Sequence, residues 1–543
     1  MRYVINRFVL VLASIVVLAP QVSVFAQSGQ LMALRERNES NGLVQAASSA
    51  IQPAAIVRRL SVDDAVRLAL EQNLGIQIER LNPRIQDMAI AQARSLWTPN
   101  VTSSITNNST NTAPSNSFSG GQTKVTDSRF TTELGVNQVL KTGANYTVNW
   151  SSFRASSTNI FNTYDPQISS TLSLNVTQPL LKNYKIDTIR QQLEVSRKDR
   201  DASDLQLQTT ITATTRNVKN AYWELAYQIA SLNAARQSLD LSKRLLGDNE
   251  KRVQIGTMAP IDIVEAKSEV ARNEEAVIVA EAAIKRAEDN LRALIYDPAA
   301  PDFWNIEIEP SETAPFTALT VDVDGAVRRA LENRTDIKLA KNGLQRDDIN
   351  IKYYSNQTMP EVDAIFNYRS ASVGGVQLKG LTSLDLSTIG TTPRQIVAQR
   401  SYASVLGDVL SSAFPVWTIG VNVSYPVGTS TNETNLARTR LQREQSERQL
   451  KNLELQITTA VRDAARNVQT NQKRVDSARA ARELAEQRLD AEQKKFAAGI
   501  QTSFFVFQAQ RDLATARTTE VRAISDYNKS LVDFEAVQEA PLR

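Results

Sequence analysis

Catalysis needs a nucleophile, a proton carrier or a metal ligand, and the two residue types that most often serve are missing. The 543-residue sequence contains no Cys and no His. Without Cys there is no thiol chemistry, disulfide, cysteine zinc site or N-terminal lipid-modified cysteine. Without His, the commonest general base and the commonest metal ligand are gone. Carboxylates or a Ser–Lys pair could still act, and there are 58 Asp and Glu. They are spread along helical patterns instead of clustering, so no catalytic residue, cofactor or metal is expected. The 62 Lys and Arg leave a net charge of +4. Both signs alternate along the helices, which argues against a nucleic-acid partner.

The first residues indicate a compartment. Arg2 and Arg7 precede a short apolar run at residues 8–19 (FVLVLASIVVLA), and Val24-Phe25-Ala26 follows. This is the pattern of a signal peptide over residues 1–26. The run is shorter than the ~20 residues of a membrane-spanning helix. Residues 27–59 are polar and aperiodic and are expected to be mobile. No later stretch is apolar enough for a transmembrane helix, so a membrane-embedded form must be a β-barrel.

The rest of the chain repeats itself. Residues 65–71 read AVRLALE and residues 326–332 read AVRRALE, each after a helix-start pattern, Ser61-Val62-Asp63 or Thr320-Val321-Asp322. Each helical stretch runs to a proline, Pro99 or Pro360, and strand-like alternation follows. Residues 144–150 (ANYTVNW), 171–177 (TLSLNVT) and 417–425 (WTIGVNVSY) alternate with period two. Such segments form a sheet with one apolar and one wet face. A soluble sandwich and a lipid-facing barrel share that pattern. Pro179 and Pro426 close the two strand regions and mark strand–helix junctions.

Very long helices are predicted next. Val218, Leu225, Leu232, Leu239 and Leu246 recur every seven residues in the first copy. Val461, Val468, Val475, Leu489 and Phe496 keep that spacing in the second, with Arg482 as the polar intruder. A seven-residue apolar repeat means helices packed side by side. Residues 183–253 would span roughly 100 Å at 1.5 Å per residue, too long for a compact globule. Each long helix ends at a glycine: residues 255–266 (IGTMAPIDIVEA) align with 498–509 (AGIQTSFFVFQA), Gly256 opposite Gly499. Glycine can end a helix in the left-handed conformation, and Pro260 is tolerated in a first turn. These segments are the tips of two helical hairpins, at 253–262 and 496–505. The predicted organisation is a first repeat over 60–297, an irregular connector over 298–319, a second repeat over 320–538 and a tail over 539–543. The longest insertion, residues 370–415, falls at a strand-to-strand turn.

Signal peptide, duplicated helix–strands–Pro–long helix–glycine tip–helix, and no lipid-acceptor cysteine together resemble the TolC family of outer-membrane efflux proteins. The resemblance runs from about Leu60 to about Val537. It implies an α+β membrane protein, a homotrimer whose strands form a β-barrel in outer-membrane lipid and whose helices continue as a periplasmic α-helical barrel. The implied function is that of a passive duct in a tripartite efflux or type I secretion system. It would dock on a periplasmic adaptor (membrane fusion protein) served by an inner-membrane pump of RND, ABC or MFS type. One protomer's few strands cannot close a barrel, and open edges in lipid are costly, so oligomerisation is also expected on physical grounds. Tyr146, Trp150, Trp417 and Tyr425 suit the aromatic girdles of such a barrel. The competing reading is an exported structural or adhesive coiled-coil trimer on a β anchor, which needs neither two hairpins per chain nor matched glycine tips.

By matching position, the resemblance assigns adaptor docking to Ile255, Gly256 and Thr257 and to Ala498, Gly499 and Ile500. Relatives ring the pore with two aspartates in the second tip, locked by an arginine and a tyrosine. This chain has Phe505 and Gln508 at the aspartate positions, and Gln501 and Phe496 at the other two. Asp262 and Glu265 remain at the equivalent places of the first tip. A periplasmic gate here is therefore either acidic, through the first tip, or an apolar constriction involving Phe504, Phe505 or Phe507. The first repeat shows up to four strand-like pieces, around Val101, around Leu134, at 144–150 and at 171–177, and the second shows two, at 362–368 and 417–425, whereas the resemblance implies two strands per repeat and twelve per trimer. The turn at residues 140–143 (LKTG) is then expected to belong to an added hairpin outside the common barrel.

Overall fold

The computed structural model describes residues 56–113, 123–159, 161–312, 316–379, 395–428 and 430–539. The expected signal peptide and most of the N-terminal segment lie outside these. In chain order, the first repeat opens with strand β1 (Ile56–Leu60) and helices α1 (Val62–Gln72), α2 (Leu74–Glu79) and α3 (Leu81–Ser95). Strands β2 (Asn100–Thr112), β3 (Val125–Val139), β4 (Asn145–Ser157) and β5 (Tyr164–Pro179) follow. Then come α4 (Thr188–Gln254) and α5 (Ile261–Ile295). After β6 (Ile306–Pro310), the second repeat runs through α6 (Val323–Asn333), α7 (Thr335–Gln357) and β7 (Glu361–Leu378). It continues with β8 (Ile396–Arg400), α8 (Tyr402–Leu410), β9 (Pro415–Ser424), α9 (Thr431–Ala497) and α10 (Ser503–Gln538).

The duplication is built in atomic detail. The Asp64 N–H donates to Ser61 Oγ at 3.1 Å and the Gly325 N–H to Asp322 Oδ1 at 3.0 Å, capping α1 and α6. Each cap precedes a buried alanine, Ala65 or Ala326, by four residues. In the second copy the cap is Asp322, two residues beyond the threonine of the expected start. Helices α4 and α9 have 67 residues each, about 100 Å at 1.5 Å per residue. Val218, Leu225, Val461, Val468 and Val475 are fully buried between helices. Arg482 sits in the α9 seam without being orphaned, 2.5 Å from Glu520 and 2.9 Å from Glu486.

Three short strands were not foreseen: β8, inside the long insertion, and the pair that follows. Residues 56–59 of the segment expected to be mobile and residues 306–310 of the expected irregular connector pair in parallel, as β1 and β6. Buried tyrosines hold the ends of this region. Tyr222 Oη donates to the Leu60 carbonyl at 3.1 Å and accepts from the Glu312 N–H at 3.2 Å. Tyr527 Oη donates to the Thr317 carbonyl at 2.7 Å and accepts from the Leu319 N–H at 3.3 Å.

The main sheet has seven strands in the order β2-β3-β4-β5-β7-β8, with β9 also on β7. Strand β9 pairs with residues 361–370 of β7 and β8 with residues 375–378, so they share one edge of that strand. This corrects the expected placement of the 140–143 turn: the β3–β4 hairpin is an integral part of the ladder, paired to β2 on one side and β5 on the other. The reason is visible at its turn. Gly143 lies at φ +84°, and a Cβ there would meet the Asn183 carbonyl oxygen at 2.7 Å. That carbonyl belongs to the loop joining β5 to α4, which Asn356 grips through the Asn183 N–H (2.7 Å) and the Leu181 carbonyl (3.3 Å). Pro179 ends β5 at this junction, and Pro426 follows β9 just before the capping box of Ser430 and Glu433 that starts α9.

Register puts Val101, Ile105, Leu134, Val136, Trp150, Leu172, Leu174, Phe366, Ile419, Val421 and Val423 on one face. The other face carries Asn, Thr, Ser and charged residues. Among the described residues no second sheet covers the apolar face: Ile419, Val421 and Val423 are 70%, 61% and 69% exposed in the single chain. A soluble sandwich would bury them. The long edges, β2 and β9, have no ladder partner along their outer sides among the described residues.

Candidate functional site: the paired helical tips

Both long helices end in the same hydrogen-bonded motif. After α4, the Thr257 N–H donates to the Arg252 carbonyl (2.9 Å) and the Gly256 N–H to the Val253 carbonyl (3.0 Å). After α9, the Ile500 N–H donates to the Lys495 carbonyl (3.0 Å) and the Gly499 N–H to the Phe496 carbonyl (3.1 Å). These are two Schellman motifs, each needing a left-handed residue at the glycine. Gly256 has φ +74° and Gly499 φ +71°. Nothing lies within 4 Å of where a Cβ would stand on either. Glycine is thus favoured here for its backbone conformation, and the space beside it is open.

The tips expose apolar side chains. Ile255, just before Gly256, and Ile500, just after Gly499, are each 73% exposed. Ile261 and Val264 of α5 and Phe504 and Phe505 of α10 are exposed as well, so the solvent-facing end of both hairpins is largely hydrocarbon. Thr257, Ala498, Glu265 and Gln508 are exposed; Gln501 is half-buried.

Beneath this surface the two hairpins are tied together. Leu245, Ala266, Leu489, Phe496, Val506, Phe507, Ala509 and Leu513 form one buried cluster. Arg252 stacks on the Phe496 ring with its guanidinium carbon 4.3 Å from the centroid, and donates to the Phe496 carbonyl at 3.3 Å. Ser503 Oγ donates to Asp262 Oδ1 at 3.4 Å, and Arg511 lies 3.8 Å from the buried Glu269. Of the residues singled out for the gate, the structure brings Asp262 against the second tip and leaves Glu265, Phe504, Phe505 and Gln508 exposed on the single chain. Phe507 is in the core and cannot line a pore. Phe504 and Phe505 meet edge to face, with centroids 5.7 Å apart. The roles of Arg252, Ser503 and Glu269 were missed; Arg252, one turn before Gly256, could have been suspected from its matched place near the tip. Among the described residues no cluster could hold a metal ion, and no helix is long and apolar enough to cross a membrane.

A sheet with a bare apolar face, continued by two paired hairpins of 67-residue helices, defines a class of membrane channel. The chain belongs to the outer membrane efflux protein family, whose profile matches residues 65–295 and 326–537, one segment per repeat. The solved structures it is similar to include outer-membrane channels. The Campylobacter jejuni CmeC outer membrane channel is 14% identical, with 88% of this chain and 85% of that one covered at a TM-score of 0.60. The outer membrane protein VceC from Vibrio cholerae is 15% identical over 89% and 97% of the two chains, with a TM-score of 0.60. The open state of the Neisseria gonorrhoeae MtrE outer membrane channel is 15% identical over 89% of each, with a TM-score of 0.59. No curated protein sequence matches the chain. The protein is an efflux channel of the outer membrane with a periplasmic helical part.

Proposed function

We propose that three copies of this chain close one barrel and form a passive duct, docked through its helical tips on a periplasmic adaptor and an inner-membrane pump. The observation that carries the docking is the pair of Schellman tips, each presenting an isoleucine 73% exposed beside an open glycine. Two apolar knobs per chain, one beside each tip glycine and six per trimer, suit knob-into-groove contact with helical hairpins of an adaptor. An adhesive stalk has no use for this duplication.

The sheet supports closure by copies. It contains six strands of ten or more residues, β2, β3, β4, β5, β7 and β9. All their pairings are antiparallel, so the two outer strands run in opposite directions. One chain's β2 can therefore pair antiparallel with the next chain's β9, which removes both edges from lipid. Three sheets give an eighteen-stranded barrel instead of the twelve strands first expected, and barrels of 16–18 strands enclose an aqueous channel. The gate we assign to Phe504 and Phe505, because an apolar ring closes a pore by dewetting.

The docking is tested by in-cell cross-linking to the cognate adaptor. Ile255→Asp combined with Ile500→Asp should abolish the cross-link while the protein remains in the outer membrane at normal level. An undiminished cross-link would overturn the assignment.

A further inference from the structure

The apolar face of the sheet is interrupted near its far end. Ser152, Ser170, Ser370, Ser372 and Gly374 lie there in adjacent strands, on the face that elsewhere carries Val, Leu and Ile. Helix α8 covers them. Gly374 admits it, since a Cβ there would meet Val405 Cγ2 at 2.5 Å. Ser370 Oγ donates to the Val409 carbonyl (3.0 Å) and Ser372 Oγ to Asp408 Oδ2 (2.8 Å), while Arg400 neutralises Asp408. Val405 and Val409 point inward; Tyr402, Ala403 and Leu410 point outward and are exposed. The helix thus satisfies the Ser370 and Ser372 hydroxyls of a polar patch and places hydrocarbon over it.

Beside the start of α8 lies a groove of about 440 Å³ whose walls include Phe130, Ile168, Val376 and Tyr402, with Arg154 and Arg400 among its lining residues. Arg400 is occupied by Asp408; Arg154 is exposed and has no ion-pair partner among the described residues. Its height is informative. Tyr146 and Arg154 lie on the same face of β4, eight residues apart (154 − 146). At about 3.4 Å per residue and a tilt of ~40°, that is roughly 21 Å, most of a ~25 Å apolar band. With Tyr146 at the helix-side girdle, Arg154 stands at the opposite boundary, where lipid phosphates begin.

We infer that this groove binds a phosphate-bearing lipid of the outer membrane, with the phosphate on Arg154 and an acyl chain laid across Phe130, Ile168, Val376 and Tyr402. Charge complementarity selects the head group, and continuity with the lipid-facing sheet selects a lipid over a soluble anion. The inference rests on the outer-membrane barrel and is independent of how the tips dock.

The test uses the full-length protein in detergent, stripped of lipid and titrated in native mass spectrometry. The probes are dioleoyl phosphatidic acid, dioleoylglycerol, which lacks only the phosphate, and inorganic phosphate. One saturable phosphatidic acid per chain is expected, held roughly tenfold or more tighter than dioleoylglycerol, as a charge-assisted contact implies. Arg154→Gln should erase that preference and Arg154→Lys should keep most of it. Tyr402→Ser should weaken both lipids, and Arg369→Gln on the polar face should change nothing. Equal retention of the two lipids, an unaltered preference in Arg154→Gln, or displacement by millimolar inorganic phosphate would each overturn the assignment.

Discussion

Replacing Gly256 and Gly499 by asparagine and by valine separates the two roles a tip glycine can have. The backbone at these positions is fixed at φ +74° and +71°. A left-handed conformation costs an ordinary L-residue about 1–2 kcal/mol, while Asn visits it routinely and a β-branched residue tolerates it least. Beyond the adjoining residues, nothing lies within 4 Å of a Cβ at either site, so no steric cost is added by packing inside the chain. If the glycines only terminate helices, Asn should therefore be close to silent and Val should fray the last turn. If an adaptor packs its own backbone against the open space, Asn should be damaging although it leaves the fold intact. We expect Gly256→Asn and Gly499→Asn to shift the melting temperature little, yet to weaken adaptor binding by at least about tenfold, equivalent to ~1.4 kcal/mol. Surface plasmon resonance of the detergent-purified channel over immobilised adaptor reads the affinity, and circular dichroism reads the fold. Unchanged affinity in both Asn variants, and normal export by Gly256→Val and Gly499→Val, would refute docking through the glycines.

Other perturbations probe the gate, the helical barrel and the sheet. Phe505→Ala should raise conductance in a planar bilayer, and Phe505→Asp should create divalent-cation block by placing acidic groups around one axis. Strong block in the unmodified channel, relieved by Asp262→Asn, would instead assign the gate to the first tip. Burial alone would raise the Glu224 carboxyl, but the hydrogen bond and charge of Lys529, aided by Gln228 and Arg522, outweigh it and hold it below the ordinary carboxylate range. A carboxylate depressed on folding stabilises above its unfolded value, near 4.3, and that contribution fades as pH falls through the folded value. Glu224→Gln should therefore cost on the order of 1 kcal/mol at pH 7 and reduce the loss of stability on acidification below about pH 4, as followed by thermal melts across pH. Gly143→Val, which sets a branched side chain against the Asn183 carbonyl, should reduce the yield of membrane-inserted protein; an unchanged yield would show the β3–β4 hairpin to be dispensable.

What was legible in the sequence came from periodicity and punctuation. The heptads through Val218 and Val461 reported the helix seams, because packing at a fixed interval leaves an interval in the sequence. Gly256 and Gly499 reported the hairpin ends, because a left-handed terminus leaves little choice of residue. Alternation in residues 417–425 reported a two-faced strand, and register then showed which face is bare. The contributions of partners distant along the chain were not legible. Strands β1 and β6 are five residues each, too short to show a period, and their pairing is held by partners distant along the chain, among them Tyr222 and Arg292. Helix α8 was hidden in the long insertion, although Ser401 caps it and Val405 and Val409 share one face. The extra hairpin was seen but misplaced, since pairing partners are set by register and its turn is fixed by the Asn183 loop. At the tips, Phe504, Phe505 and Phe507 read alike in the sequence; only packing shows that Phe507 belongs to the core.

The most direct test of the account is the mass and location of the assembled species. Outer-membrane fractions extracted with a mild detergent should yield, by light scattering corrected for detergent, a particle of three chains, with no comparable pool in the soluble periplasmic fraction. A water-soluble monomer recovered from the periplasm, stable without detergent, would contradict a barrel closed by three sheets in lipid.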